Sequence, residues 1–432
     1  MPLPRLRFKP IPPDAPLAIL LLFMLAVGIA LRVQNLGVPG TFLWDEHHFV
    51  ENARNYLANR PDWNDHPPLS KLLIAAAMRL TGDTPAGWRT ASLLFGLINI
   101  PLLGWAAFLA FRSRRAALMA SAFVAADGMF IAYSRTALFD GIIVALAVAG
   151  LVSVFFGRTL WHVLLSGVCI GMALSLKLYG LAFVPAALVA CMANRHLRRW
   201  TPLLALCLPL VFYAQYAYGL HITGRPASIA AVLKDNRDMV RHHLSFTEVH
   251  PWSSRWYTWF VPTKPIFFRR DRAADGTLQV LFAFGHPLLW WASSLAVIGA
   301  AGLLIRTGWR RVWQQISLPP APKPVSGTAS VDLAANPLGE RAGSVFWLLA
   351  AWAAPLAFWI PSLRDSFLYH YMASYAFGLV LLAGFADRLY AGHRLWTLVG
   401  LAIVAEVLLY YAPLWGELPI AEGALRARLF RF

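Results

Sequence analysis

Residues 17–33, LAILLLFMLAVGIALRV, carry one charge, Arg32, in an otherwise apolar run. A helix needs about 20 mostly apolar residues to cross roughly 30 Å of hydrocarbon, and this run with its flanks meets that need. Trp44-Asp45-Glu46-His47-His48-Phe49 follows almost at once, so the chain leaves the hydrocarbon and sets two acids and two histidines at its surface. The pattern repeats. Ten further stretches read as spans, near 88–110, 116–133, 138–157, 161–178, 180–193, 200–219, 280–304, 343–361, 367–385 and 395–413. The sixth of the eleven, 180–193, is short enough to be re-entrant. Composition agrees: of 432 residues 58% are hydrophobic and 14% charged, against about 45–50% and about 25% in globular chains. Mean hydropathy is +0.55. Disordered, fibrous and soluble classes are excluded, and the fold class is an all-α polytopic membrane protein of about eleven transmembrane helices.

Orientation follows from basic residues in short loops. Arg5, Arg7 and Lys9 precede the first span, which lacks a small-x-small cleavage site and reads as an anchor. Arg112, Arg114 and Arg115 share one turn, Arg195, Arg198 and Arg199 another, and Arg388 and Arg394 a third. These place one set of loops in the cytoplasm, whereas Arg135, Lys177 and Arg364 stand singly in the opposite turns. Residues 34–87 and 220–279 then form two large outer loops. Residues 306–342, rich in Pro, Ser, Gly and Ala, read as a flexible cytoplasmic linker. The net charge of +17 points to anionic lipid headgroups and phosphate-bearing substrates, not nucleic acid. Loop 220–279 holds nine Lys/Arg against five Asp/Glu, which suits a loop resting on headgroups. Cys169, Cys191 and Cys207 lie in apolar stretches without metal-ligand spacing and read as small core residues.

In the first outer loop, Phe49, Ala53, Tyr56 and Leu57 fall on one face of an amphipathic helix too short to span, so it should lie in the interface plane. The structural reading of Asp45 is an N-cap for this helix, with Glu46 favourable near the positive end of its dipole. The functional reading rests on two adjacent acids beside His47 and His48 at the membrane surface. Asp65-His66-Pro67-Pro68-Leu69-Ser70-Lys71 opens a second short helix, prolines suiting a helix start. Arg89 falls about one turn inside the second span and either snorkels to headgroups or holds a phosphate. Asp127, Arg135, Asp140 and Lys177 lie at outer-side hairpins. Arg135 pairing with Asp140 is the structural alternative to phosphate binding there.

Several blocks resemble one family in order along the chain: Trp44-Asp45-Glu46 with His48-Phe49, His66 through Lys71, Trp88-Arg89, Ser134-Arg135 through Asp140, and Ser175 through Gly180. His250-Pro251-Trp252, Gly285-His286-Pro287 with Trp290-Trp291, and Tyr369-His370-Tyr371-Met372 continue it. Together they resemble the protein O-mannosyltransferases of the GT-C superfamily, which use polyprenyl- or dolichyl-phosphate-mannose. His286 stands where Asn is expected. Eukaryotic members carry a lumenal MIR domain where this chain has only loop 220–279, so the likeness is to a compact bacterial type. The resemblance implies a single GT-C transmembrane domain over 1–432 with its catalytic acids in 34–87.

Nucleotide sugars are cytoplasmic, so an outer site needs a membrane-carried donor. A phosphate leaving group is already charged, and one base plus cations can serve where a glycosidase needs two carboxylates. Asp45 is the candidate base and Glu46 positions, by pairing with Arg89; the resemblance supports this role of Asp45 and an inverting displacement. Arg89, Arg135, Lys177, His66 and Lys71 are the donor phosphate and sugar candidates. His48, Asp140, His250, Trp252 and His370 are candidates for positioning donor or acceptor. No cofactor is expected. Asp45, Glu46, His48 and His66 lack spacing diagnostic of zinc, so a metal is not favoured. Expected partners are a polyprenyl-phosphate-linked sugar, a secreted or membrane protein acceptor, and membrane lipids. A lipid or cell-wall glycan acceptor is the alternative, and a polyprenyl-linked sugar flippase a further one. The nine asparagines include no Asn-x-Ser/Thr sequon, consistent with a bacterial inner membrane and a site facing the periplasm.

Overall fold

The computed structural model describes residues 14–63, 65–245, 250–262, 264–317, 338–362 and 365–429. Arg5, Arg7, Lys9 and Arg364 of the charge pattern, and residues 318–337 of the linker, lie outside these. The first half of the chain forms α1 (Ala15–Val33), α2 (Glu46–Leu57), α3 (Leu69–Thr81), α4 (Pro85–Phe111), α5 (Arg114–Ala126), α6 (Gly128–Ser134), α7 (Asp140–Phe156), α8 (Leu160–Leu176), α9 (Phe183–Ala193), α10 (Thr201–Ile222) and α11 (Ile229–Ser245). After a hairpin of β1 (Ile266–Arg272) and β2 (Leu278–Ala283) come α12 (Pro287–Thr307), α13 (Trp309–Ser317), α14 (Ala342–Trp359), α15 (Met372–Gly392), α16 (Arg394–Trp415) and α17 (Glu422–Arg428).

Among the described residues seven helices are long and apolar enough to cross a membrane, or eight if α5 and α6 count as one bent span. The expected number was eleven; α7, α8 and the stretch Leu178–Ala193 are apolar but shorter. Helix α7 shows why composition does not separate the two cases. It is buried on nearly every side, and a helix apolar all round suits a protein core as well as lipid. A lipid-facing belt is recognisable elsewhere, in exposed Ile19, Leu94, Leu206, Leu295 and Ile403.

Two spans depart from their expected form. Stretch 116–133 is not continuous, for α5 and α6 meet at 64°. The break is at Asp127, whose backbone is extended and whose carboxylate caps α6, accepting from Met129 N at 3.0 Å and Phe130 N at 3.2 Å. Its other oxygen accepts from His286 N at 2.7 Å and the Tyr375 hydroxyl at 2.8 Å. The expected span 280–304 begins at Pro287 instead. Residues 278–283 are strand β2, antiparallel to β1 in the register Ile266↔Ala283 with an irregularity between Phe267 and Arg269. Asp275-Gly276 makes the turn, Gly276 having φ +82°. His286 caps α12 by accepting from Leu289 N and reaches the Val404 carbonyl at 3.0 Å. The linker also starts with structure, since α13 buries Val312 and Ile316.

Close packing and buried polar contacts fix the helices. Arg32, fully buried, donates to the carbonyls of Gly28, Ala125 and Val124, each at 2.7 Å, as a charge inside a helix bundle must. A Cβ at Gly28 would overlap the Ala125 carbonyl, so glycine sets the α1–α5 distance. At one end of the bundle Arg115 bonds Asp387 at 2.8 Å, and the Tyr390 hydroxyl bonds Asp14 at 3.1 Å. The turns at 112–115 and 388–394 therefore meet the start of α1. The opposite end gathers α2, α3, the hairpin and the loops before α4, α7 and α15.

Candidate active site

At that second end Leu43 through Glu46 make a tight turn, closed by Glu46 N donating to the Leu43 carbonyl at 2.8 Å. Trp44 and Asp45 are its corners, and Trp44 adopts a left-handed φ of +44°, which costs a non-glycine residue of order 1 kcal/mol and persists only where surroundings impose it. The imposition comes from Glu46, fully buried. Its Oε1 accepts from Arg89 Nε at 2.8 Å and Ala137 N at 2.8 Å; its Oε2 accepts from Arg89 Nη2 at 2.9 Å and Leu43 N at 2.8 Å. Arg89 spends its three remaining donors on the carbonyls of Leu36, Pro39 and Thr41. The pair thus stitches loop 36–46 to α4 and to the segment before α7.

Asp45 directly precedes α2, yet its carboxylate makes no capping hydrogen bond. It is half-buried beside Lys177, His48, His47 and Asp65. Burial pushes its carboxyl above the usual range, an effect that Lys177 and the two histidines reduce. Lys177 stands where α8 breaks into a 3-10 turn, its own backbone extended. Its Nζ donates to Asp140 Oδ2 at 2.8 Å and lies 5.2 Å from the Tyr369 ring, with 13% of the side chain exposed. Asp140 Oδ1 is buried with no partner among the described residues. Tyr133, whose ring is 5.8 Å from that of Tyr369, lies within electrostatic reach of Asp45 and Asp140. Together stand one carboxylate with no hydrogen bond to a described residue, one ion-paired but partly exposed ammonium and two phenol rings.

His66 packs on Phe49 and on His243, ring centroids 5.9 and 5.2 Å away. Burial drives its imidazole well below its ordinary pKa. Burial raises the neighbouring Asp65 carboxyl, but His66, Lys71 and His243 outweigh that and hold it at about 2. His48 is exposed and packs tilted on His47, centroids 3.6 Å apart. His250 sets its ring edge on Trp44, 5.6 Å between centroids, accepts from Trp252 N at 3.2 Å, and donates its backbone N–H to Asp365. Trp252 leans on Phe267 of the hairpin.

Four further candidates are enclosed and bonded within the protein. Arg89 has all five of its N–H groups committed in a fully enclosed position. Arg135 is enclosed too: its Nη1 reaches the carbonyls of Leu31 at 2.7 Å and Gln34 at 2.6 Å, and its Nη2 reaches Glu417 Oε2 at 2.8 Å. Its expected alternative partner, Asp140, is taken by Lys177 instead. Lys71 is buried, 3.4 Å from Asp65 Oδ1 and bonded to the His66 carbonyl. His370 is locked between Trp359, 3.9 Å away in a stack, and Phe367 N, which donates to its Nδ1 at 3.0 Å. Each is a cation or imidazole that the interior uses to hold loops in place.

Sequence reading passed over Tyr133 and Tyr369, though Tyr369 stands in a motif block and Tyr133 directly precedes one. It also passed over Glu417, which accepts from Arg135 and from Arg269 at 3.2 Å. Glu417 lies in no motif, and no local signal marks it.

Solved structures of membrane glycosyltransferases of the GT-C class share this fold. The yeast Saccharomyces cerevisiae protein O-mannosyltransferase Pmt1–Pmt2 complex bound to the sugar donor matches with a TM-score of 0.75 at 14% identity, over 98% of this chain and 92% of that one. ArnT from Cupriavidus metallidurans bound to undecaprenyl phosphate matches with a TM-score of 0.56 at 15% identity, over 93% and 65%. The family profile described as dolichyl-phosphate-mannose-protein mannosyltransferase matches residues 21–92 and 86–221, and that of the C-terminal four-span region of protein-O-mannosyltransferase matches 229–417. The chain belongs to the protein O-mannosyltransferase family of glycosyltransferases. The polyprenol-phosphate-mannose–protein mannosyltransferase of Mycolicibacterium smegmatis is 26% identical over 67% of this chain and 72% of its own. The Mycobacterium tuberculosis enzyme of the same name is 23% identical over 65% and 70%.

Proposed function

We propose that this protein moves mannose from a polyprenyl-phosphate carrier to a Ser or Thr hydroxyl of a protein, on the outer face of a bacterial plasma membrane. The observation that carries the reading is Asp45: a half-buried carboxylate at the corner of a rigid turn, released from helix capping and placed beside an accessible ammonium. Asp45 takes the acceptor hydroxyl proton as that oxygen attacks the anomeric carbon. The bond from that carbon to the phosphate oxygen breaks on the opposite side, the configuration inverts, and polyprenyl-phosphate leaves with an added negative charge. Lys177 is the group placed to meet that charge. Because the leaving group needs no proton, neither a second carboxylic acid nor a metal is called for. His48 and His66 line the approach, and His250 braces Trp44. The family membership and the mycobacterial relatives support the donor and the protein acceptor. The single-sided basic turns support the orientation.

The test incubates purified protein with labelled polyprenyl-phosphate-mannose and a membrane-plus-periplasm extract. Label should appear in protease-sensitive material. Label only in glycan or lipid would replace the protein acceptor, and donor translocation without transfer would replace the enzyme by a flippase.

A further inference from the structure

Beyond His250, whose backbone N–H bonds the lining residue Asp365, lies a cavity of about 250 Å³ that the reaction above leaves unused. Two loops make it, and Ser254 and Ser366 staple them together: Ser254 N donates to the Ser366 carbonyl and the Ser366 hydroxyl to the Ser254 carbonyl, each at 2.7 Å. Arg255 and Lys264 reach its wall from one loop and Asp365 from the other. Neither cation forms an ion pair with a described residue, whereas the Asp365 carboxylate already accepts from His250 N. The wall therefore carries two cations without an ion pair among the described residues, one engaged carboxylate, and the hydroxyls of Ser253 and Thr258.

Small ligand and cofactor sites generally exceed about 300 Å³, so this one suits a single side chain rather than a sugar or nucleotide. Its position narrows the ligand further. Asp365 touches His250, and the His250 ring is 5.6 Å from that of Trp44, the residue before the proposed base. An extended peptide advances about 3.3–3.6 Å per residue, so a chain whose hydroxyl sits at Asp45 passes this cavity a few residues away. We infer that the cavity is an acceptor subsite that receives an acidic side chain flanking the modified Ser or Thr. The inference rests on the protein-acceptor reading above, and it adds a sequence preference: acceptors with Glu or Asp near the modified residue bind better.

The test compares two synthetic peptides with one Thr, one carrying Glu and the other Gln about two to four residues to either side, with labelled polyprenyl-phosphate-mannose and full-length protein. The Glu peptide should show a KM about five- to tenfold lower, a ratio that shrinks with added salt because the contact is charged and partly exposed. In the Arg255→Gln, Lys264→Gln double variant the ratio should fall toward one. Equal KM values in the unaltered protein overturn the subsite while leaving the protein acceptor standing, and need no variant to fold. Protein that binds donor yet labels neither peptide, nor any polypeptide of the extract, overturns the acceptor reading itself. If instead the variant changes only the response to phosphatidylglycerol in nanodiscs, the cavity holds a lipid headgroup and the inference fails.

Discussion

Glu46 and Arg89 form a two-armed ion pair at 2.8 and 2.9 Å, both side chains fully buried, and the same carboxylate also holds Leu43 N and Ala137 N. The pair fixes the turn that carries its neighbour Asp45 and is itself enclosed. Removing one partner of a buried pair costs about 3–5 kcal/mol, because the other charge is left uncompensated. Arg89→Lys should fail to rescue, since an ammonium cannot replace the planar fork that also bonds three carbonyls. A thermal melt in detergent reads this. An Arg89→Lys protein with an unchanged melt and weakened donor binding would return Arg89 to the donor site.

Asp45→Asn should lower turnover about 100- to 10,000-fold, the usual worth of a general base. Capping does not explain Asp45, so stability should not suffer. The sign can be worked out: burial raises the folded carboxyl above its unfolded value, so the native state favours the protonated form and loses stability as pH rises through that pKa. Asparagine removes the loss, and the melting temperature at neutral pH should hold or rise slightly. A lower melting temperature with preserved turnover would assign Asp45 a structural role.

The same shift sets a pH profile. A base acts as its carboxylate, so kcat/KM should fall on the acid side with a midpoint above about 4, the ordinary carboxylate value. Asp65, held at about 2, acts on the fold in the opposite sense. Its contribution is present above its unfolded value of about 4 and is lost as pH falls from there toward 2. Activity should therefore disappear before the melting temperature does, and a coincident loss of both would break the distinction.

Lys177→Gln should weaken inhibition by the product, polyprenyl-phosphate, about tenfold or more, in line with a hydrogen bond to a charged group. It should also slow transfer, because the phosphate gains charge as the sugar departs. Product inhibition unchanged in Lys177→Gln would remove Lys177 from the donor site.

Glu417→Gln should destabilise by about 3–5 kcal/mol, since Arg135 is left buried without its carboxylate. Replacing Arg135 and Glu417 together by apolar residues should recover part of that loss. Replacing Arg135 with Asp140 should recover nothing, for Asp140 pairs with Lys177. Stability from chemical denaturation in detergent separates the two double variants.

A single-cysteine substitution at exposed His47 should react with a membrane-impermeant reagent from outside the cell, and one at Arg114 or Arg198 only after permeabilisation. The reverse pattern would overturn the orientation and with it the outer-face site.

The sequence by itself determined the class. Transfer into hydrocarbon is decided locally, residue by residue, so runs such as 17–33 announce themselves, and a polar turn such as Trp44-Asp45-Glu46 stands out against them. It also placed the candidate base and its neighbour Glu46 and named Arg89 as Glu46's partner. It could not separate the buried helix α7 from a lipid-facing one, because both environments ask for the same residues. Strand β2 was absorbed into the apolar run of the next helix, although Asp275-Gly276 carried a hairpin signal. What only the tertiary structure decided is which cation is enclosed and which stays partly open. Arg89, Arg135 and Lys177 look alike along the chain, each a lone basic residue near one end of the bundle. Their roles depend on partners far off in sequence: Arg135 finds Glu417 and the carbonyls at the end of α1, while Lys177, at a break between helices, keeps part of its ammonium open beside Asp45. A charge at membrane depth must be compensated, and where the compensation comes from is a property of packing that no local pattern encodes.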